Sequence, residues 1–406
     1  MISISPSSQT LSGIVELPKS KSIYNRYLVL KAIHPELKLD TQPDSDDTKV
    51  LEEGLSQTGG TVHVRHAGTA MRFLTTYFAS TPNVAVVLTG SERMQERPIS
   101  ALVSTLNKAG AEISYLEKKG FPPLKIKGQK LNPIRMDIDC TTSSQYATSI
   151  LLCSSRFGSS FTLNLTGEVV SAGYIDSTLD VLKNVGYSVE LDGNTIKVEI
   201  PKKIKSNISV ESDWSGASYF YSALAMAISG EMCLKNLNID SIQPDHLTAE
   251  IFKPFGVETT QLGTDLSIKK INVELPTTYV ADLINTPDLA QTLVACLVGL
   301  KIKFKLTGLQ TLVHKETNRL EALQVELFKL GVVAQISENS ISVVEFPKVF
   351  NLAIIKTYND HRMAMAFAAL GVISNVEIED TEVVSKSFPD FWNQLKNIGI
   401  VMSVTS

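Results

Sequence analysis

"ISALVSTLNKAGAEISYLEKKG", residues 99–120, reads as a helix, a glycine and a strand that runs into a turn. A glycine just past a helical pattern is the usual left-handed C-cap, and a β-prone run after it reads as a strand. The same phrase, an apolar residue, three residues, a glycine and a β-prone run, recurs along the chain. It appears as "LSQTGGTVHV", "LNKAGAEISY", "LKNVGYSVEL", "FKPFGVETTQ", "LFKLGVVAQI" and "LKNIGIVMSV", on Gly59, Gly110, Gly186, Gly256, Gly331 and Gly399. Spacings of roughly 50 to 75 residues are too long and too variable for a solenoid. They predict six copies of a compact α/β unit, three in each half, with the boundary near "PKKIKSNISVESDWSG", residues 201–216. "DWSGASYFYSALAMAIS" and "NDHRMAMAFAALGVIS" are apolar on nearly every side after a polar start, which predicts buried helices whose amino ends converge on one surface.

Bulk properties narrow the function classes. At 406 residues the chain is too long for one ordinary core, so two domains are expected. A hydrophobic content of 43% with 20% charged residues belongs to a folded globular protein. The net charge of −4 argues against a general nucleic-acid or membrane-surface binder. Cys140, Cys153, Cys233 and Cys296 lie far apart with no CxxC, as buried reduced thiols in a reducing cytosol would. The opening "MISISPSSQT" has neither a basic n-region nor an apolar h-region, and the longest apolar stretches are too short for a membrane span. A cytoplasmic protein is expected.

One anomaly repeats. Lys19, Lys21 and Arg26 in "LPKSKSIYNR" crowd the start of an apolar helix, where the positive end of the helix dipole disfavours cations. "HAGTAMRFLTTYFA" places Arg72 early in another, "YNDHRMAMAFAAL" does so with His361 and Arg362, and "VHKETNRLEAL" with Lys315, Glu316 and Arg319. Arg93 and Arg97 in "SERMQERPISALV" and Lys386 in "SKSFPDFWNQL" stand just before helices. A single such cation is ordinarily just solvated. The repetition predicts bound anions, because free backbone N–H groups and the dipole attract phosphate while Lys or Arg balances its charge.

Ser143, Ser144 and Gln145 in "CTTSSQYATSILL", and Ser171 in "VVSAGYIDSTLDVL", can donate to a phosphate or a sugar-like hydroxyl, or serve as ordinary caps. Acid–base candidates are few. Asp288 in "DLINTPDLAQTLVACL" could equally be an N-cap, and Glu316 could equally pair on the surface with Arg319. His63 and His66 in "HVRH" lack the further ligands a metal site needs. GxxxxGK[ST], GxGxxG and GxSxG are all absent.

The segments "PKSKSIYNR", "AGTAMRFL", "LTGSERMQERPI", "FPPLKIKG", "SSQYATSILL", "YIDSTLDVL", "NTPDLAQTL", "HKETNRLEAL", "YNDHRMAMAF" and "KSFPDFWNQL", in this order, resemble the 5-enolpyruvylshikimate-3-phosphate synthase family over almost the whole chain. The resemblance implies an α/β (α+β) inside-out barrel of six βαβαββ units, three in a domain at 20–211 and three in a domain formed by 1–19 and 212–406, with the active site in the cleft between them. It implies transfer of the enolpyruvyl group of phosphoenolpyruvate to the 5-hydroxyl of shikimate 3-phosphate with release of phosphate, a step toward chorismate and the aromatic amino acids. Shikimate 3-phosphate is expected to meet Lys21, Ser22, Arg26, Ser143, Ser144, Gln145, Ser171, Asp288 and Lys315. Phosphoenolpyruvate is expected to meet Lys21, Gly68, Arg97, Gln145, Arg319, Arg362 and Lys386. Asp288, Glu316 and Lys21 are the candidate proton-transfer groups. The two small-molecule substrates are the implied partners, with no nucleic acid, membrane, cofactor or metal, and a monomer is expected. His66, Thr311 and Asn318 depart from the family's frequent Asn, Asn and Asp, so His66 and Thr311 stay outside the implied site.

A UDP-N-acetylglucosamine enolpyruvyl transferase would share this fold, but usually carries a "KN" pair where this chain has "KSKS" and a reactive loop cysteine, whereas 111–120 contains no cysteine. A phospho-ligand binder of the same fold without catalysis is a third reading, and an RNA-binding protein is disfavoured by the acidity. Repulsion across an empty cationic cleft predicts closure on ligand. X-ray scattering with and without shikimate 3-phosphate should record a smaller radius of gyration in the complex, and an identical interdomain angle in both states would count against the expectation.

Overall fold

The computed structural model describes residues 1–6, 10–40 and 42–404, so residues 7–9 of the opening "MISISPSSQT" stretch lie outside the described residues. The chain divides into two compact units, Lys21–Val210 and Met1–Ser20 with Glu211–Ser406. The second unit is completed by residues from both ends of the sequence.

One strand order recurs. In the first unit, Gly59–His63 pairs in parallel with Ala85–Thr89, which is antiparallel to Leu124–Lys127, itself antiparallel to Glu112–Tyr115. The parallel pair is possible because the helix Gly68–Ala79 crosses between its strands; the antiparallel pair needs only a loop. Arg135–Asp139, Ser160–Thr166, Thr195–Glu199 and Ser188–Asp192 repeat the order, as do Thr278–Asp282, Lys303–Thr307, Ile341–Glu345 and Val333–Ile336 in the second unit.

Two sheets of the second unit borrow strands from the chain's start. Ile2–Ser5 lies between Val376–Ile378 and Val401–Val404, and Thr10–Val15 pairs in parallel with Ser229–Leu234. Among the described residues, five sheets carry four strands and the sixth only two, Lys38–Leu39 and Asn207–Ile208. The βαβαββ unit is therefore complete five times and truncated once.

The glycine signal holds in detail at most copies. Gly110 and Gly331 take φ of +97° and +86°, values that a Cβ would strain. The first copy differs: the helix Asp46–Leu55 ends on Ser56, Gly59 already opens a strand, and the positive φ of +79° falls on Gly60. Cys140, Cys153 and Cys296 are buried; Cys233 departs from that expectation and is only half-buried, because it sits in the strand Ser229–Leu234 with a partly open face.

Within each unit the central helices run parallel. In the first, Gln145 Nε2 donates to Thr69 Oγ1 at 3.2 Å, and Thr76 Oγ1 meets Ser149 Oγ at 2.8 Å, so the helices Gly68–Ala79 and Gln145–Leu152 advance together from neighbouring starts. In the second, the helices Trp214–Met226, Ala290–Gly299 and His361–Ala368 are almost wholly buried. Ser218 Oγ lies 3.2 Å from Thr292 Oγ1, and the side chains at the three starts meet around Asp288 and Arg362. Such helices have no solvated face on which to place charge. Their polar groups gather at the ends, and the amino ends within each unit point the same way.

Candidate functional site

In the unit Lys21–Val210 the helix Lys21–Ile33 begins on Lys21 and buries Arg26 one turn later. Arg26 Nε donates to Thr178 Oγ1 at 2.9 Å, Nη1 to Ser22 O at 2.6 Å and Nη2 to Tyr174 O at 2.9 Å. All of these acceptors are neutral. Burial pulls the Arg26 guanidinium down to about 10, which leaves it charged near neutral pH with only dipoles around it. Lys21 Nζ donates to Asp47 Oδ2 at 2.8 Å, and Asp47 is a site neighbour that sequence reasoning missed. Its signal was the acidic run "DSDD" at a helix start, which reads as simple capping.

Gly68 opens its helix beside Arg97. A Cβ built on Gly68 would stand 2.5 Å from Arg97 Nη1 and 2.8 Å from Cζ, so the glycine is what lets this guanidinium lie on the helix start. Gln145 reaches Thr69 on the same surface. Ser143 Oγ accepts from Gln145 N at 3.2 Å, a local capping bond, whereas Ser144 at the N-cap makes no side-chain cap. Ser171 takes φ +56°, left-handed for a residue with a Cβ, and also makes no side-chain cap to its helix. Non-glycine residues held in that region cluster at functional sites.

The unit containing Glu211–Ser406 gathers the second set. Asp288 lies in a short 3-10 turn, Pro287–Leu289, and does not cap the helix that follows. Its Oδ1 accepts from Lys315 Nζ at 3.4 Å and Arg319 Nη1 at 3.0 Å, and its Oδ2 from Arg362 Nη2 at 2.9 Å. Burial alone would push the Asp288 carboxyl up, but Arg362, Lys315 and Arg319 outweigh it and hold the group well below the usual carboxylate range. Glu316 Oε2 accepts from Arg319 Nη2 at 2.9 Å, and the Arg319 side chain is only 2% exposed, so this is no surface pair. Arg319 Nε donates to Asp360 Oδ2 at 2.7 Å. Burial opposes the Arg319 charge, yet Asp360, Glu316 and Asp288 together raise its pKa further. Lys386 Nζ donates to the carbonyl of Asn359.

Thus the structure brings Asp288, Glu316, Lys315, Arg319 and Arg362 into one network. Lys386 joins it through the segment leading to Asp360. The sequence reading treats these cations as open to anions. In the structure Asp288, Glu316 and Asp360 already pair with Lys315, Arg319 and Arg362, while Lys386 meets a backbone carbonyl. Lys21, Ser22 and Arg26 form one group on their helix start, and Gly68, Arg97 and Gln145 another.

Two cations from the anomaly have structural work. Arg72 donates to Gly68 O and Pro98 O, each at 3.2 Å, and pins that helix start; Arg93 pairs with Glu96 at 3.1 Å on a partly open surface. His66 Nδ1 lies 2.9 Å from Ser91 Oγ, and Asn318 caps the helix Arg319–Lys329.

Sequence reasoning also missed Asp360, Asp245, Ser215 and Tyr219. Asp360 is fully buried, caps the helix His361–Ala368 and anchors Arg319; the string "NDHR" shows the cap but not the distant arginine. Arg362 lies 3.4 Å from both Ser215 Oγ and Tyr219 Oη. Asp245 accepts from Ser215 Oγ. Thr311 Oγ1 is buried without a hydrogen-bond partner, an arrangement that costs stability unless a ligand supplies one.

Burial and the Asp288 charge raise Asp245 to about 6, against the opposing pull of Arg362 and Ser215. A carboxyl with a folded pKa above its unfolded value holds its proton more tightly when folded. Its contribution to stability therefore falls as pH rises from about 4 to about 6. The variant Asp245→Asn should melt higher than the parent protein at about pH 7.5, with the difference shrinking toward pH 4.5. A pH-independent difference in thermal scans would contradict this account.

The family model described as EPSP synthase (3-phosphoshikimate 1-carboxyvinyltransferase) matches residues 56–395. A 3-phosphoshikimate 1-carboxyvinyltransferase of Bacteroides fragilis (strain YCH46) is 39% identical over 399 residues, covering 97% of this chain and 97% of that protein. One from Haemophilus influenzae is 33% identical over 436 residues and covers 98% of each chain. In fold, the chain is similar to an EPSP synthase structure from Acinetobacter baumannii, with a TM-score of 0.76 at 22% identity over 100% of this chain and 99% of that one. With a family match over most of its length and relatives above 30% identity along nearly all of it, the chain belongs to the EPSP synthase (3-phosphoshikimate 1-carboxyvinyltransferase) family.

Proposed function

We propose that the protein transfers the enolpyruvyl group of phosphoenolpyruvate to the 5-hydroxyl of shikimate 3-phosphate. The observation that carries the chemical reading is the convergence of Lys315, Arg319 and Arg362 on the Asp288 carboxylate. Each substrate carries a phosphate monoester of roughly −1.5 to −2 charges near neutral pH, and a carboxylate besides. Two such anions repel strongly unless cations surround them.

In this reading Arg26, with neutral acceptors only, is suited to an incoming anion together with Lys21, Ser22, Ser143, Ser144, Gln145 and Ser171. Asp288, Lys315 and the unpartnered hydroxyl of Thr311 extend the shikimate 3-phosphate site. Phosphoenolpyruvate takes Lys21, Gly68, Arg97, Gln145, Arg319, Arg362 and Lys386, where guanidinium forks suit its planar carboxylate and its phosphate.

The reaction is addition followed by elimination. The 5-hydroxyl oxygen bonds to C2 while C3 gains a proton and becomes a methyl, forming a tetrahedral ketal phosphate. The C2–O bond to phosphate then breaks, C3 gives up a proton, and the enolpyruvyl ether remains. Asp288 begins ionised, and three cations hold down its proton affinity. Substrate anions that draw Arg362, Lys315 and Arg319 toward themselves raise that affinity, so Asp288 becomes a competent proton acceptor only when the site is filled. Glu316 and Lys21 are the remaining groups for proton delivery to and from C3. The paired cations stabilise developing charge without changing their own protonation.

Phosphate release should require both phosphoenolpyruvate and shikimate 3-phosphate; release from either alone, or from neither mixture, would overturn the reading. Asp288→Asn should lower kcat by about 100-fold or more while shikimate 3-phosphate binding weakens by no more than about tenfold. A non-catalytic binder would have no turnover to lose.

Gly68→Ala would push its Cβ into the Arg97 guanidinium, the movable end of a flexible side chain, so folding should survive. The KM for phosphoenolpyruvate should rise about tenfold or more as Arg97 is displaced. An unchanged KM would separate Arg97 from that substrate. The family's matching glycine also leaves room for glyphosate, and unimpaired turnover in glyphosate well above the phosphoenolpyruvate concentration would count against sensitivity here.

A further inference from the structure

The segment "KTYND", residues 356–360, precedes the helix His361–Ala368 and holds an unusual backbone. Tyr358 and Asn359 both take φ +54°. Two consecutive non-glycine residues in the left-handed region are unfavourable and persist only where the surroundings over-determine them.

Both ends of the segment are tied to one helix, Arg319–Lys329. At one end, Glu326 is fully buried; its Oε1 accepts from Tyr358 Oη at 2.6 Å, and its Oε2 accepts from Lys356 N at 3.1 Å and Lys329 Nζ at 2.7 Å. At the other end, Arg319, the first residue of the same helix, binds Asp360 through Nε at 2.7 Å and Nη2 at 3.4 Å. Seven residues separate Arg319 from Glu326, which is about 10 Å of helix. The strained pair lies between these two anchors. Its Asn359 carbonyl receives Lys386 Nζ, and Asp360 caps the helix that begins with His361 and Arg362 by accepting from Arg362 N at 2.9 Å.

We propose that Glu326 and Tyr358 are positioning residues for phosphoenolpyruvate: by clamping the segment 356–360 to the helix Arg319–Lys329, they set where Arg362 and Lys386 present their charges. This rests on the functional reading above, in which Arg319, Arg362 and Lys386 meet that substrate. A buried carboxylate is costly unless fully hydrogen-bonded, and here its bonds go to the segment that shapes the site and to Lys329. The core does not need the Tyr358 hydroxyl, because the side chain is only half-buried. Burial and the adjoining Glu326 carboxylate raise the phenol pKa, so the bond persists through the pH range of an assay. The clamp also explains why residue 358 is not a glycine: the strain there is held by a side-chain bond that glycine could not make.

The test is steady-state kinetics on the full chain with each substrate varied in turn, alongside thermal melting. Tyr358→Phe removes one hydroxyl and should raise the KM for phosphoenolpyruvate roughly five- to twentyfold, with the KM for shikimate 3-phosphate within about twofold. Glu326→Gln keeps an acceptor for Tyr358 but loses the charge that faces Lys329, and should shift the same constant in the same direction. The double variant should be no worse than the weaker-binding single one, since both act through one clamp. If Glu326→Gln does not fold, Tyr358→Phe alone decides. An unchanged KM for phosphoenolpyruvate, or parallel rises for both substrates with a lowered melting temperature, overturns the proposal. Absence of phosphate release by the parent protein instead overturns the functional reading, and the inference falls with it.

Discussion

Everything in the site depends on packing buried helices parallel to one another. Each helix carries partial positive charge at its amino end, and parallel packing places several such ends on one side of a unit. Adding lysines and arginines there compounds the repulsion. The arrangement is tenable only if negative charge is supplied, by the protein's own carboxylates or by a ligand. Asp288, Glu316 and Asp360 answer this in the unit containing Glu211–Ser406.

The two units meet the same constraint differently. Arg319 donates from the edge of its guanidinium to three carboxylates, Asp360, Asp288 and Glu316, and they more than offset the cost of its burial. Arg26 is equally buried but meets a hydroxyl and two backbone carbonyls, and its pKa falls instead of rising. One network is balanced by the protein's own carboxylates. The other holds a buried guanidinium that meets only neutral acceptors.

Local signals in the sequence suffice where one segment contains the whole cause. Glycines after helices, the buried character of "DWSGASYFYSALAMAIS" and the cations at helix starts are all short-range patterns. They fail where the partner is far along the chain. Arg72 and Arg362 both stand in the first part of an apolar helix, yet Arg72 donates to the carbonyls of Gly68 and Pro98 while Arg362 reaches Asp288 and lies near Tyr219 and Ser215. Asp245 and Asp360 each meet their arginine only across separate segments.

By itself, the amino-acid sequence determined the repeating helix–glycine–strand unit, the family and the residue types available for chemistry, because each is written in contiguous patterns a few to a dozen residues long. Only the tertiary structure decided which charges cancel. Asp288, Lys315, Arg319, Asp360 and Arg362 come from separate segments, and the sign and size of each one's effect on its neighbours depend on distances of a few ångströms that chain order does not specify.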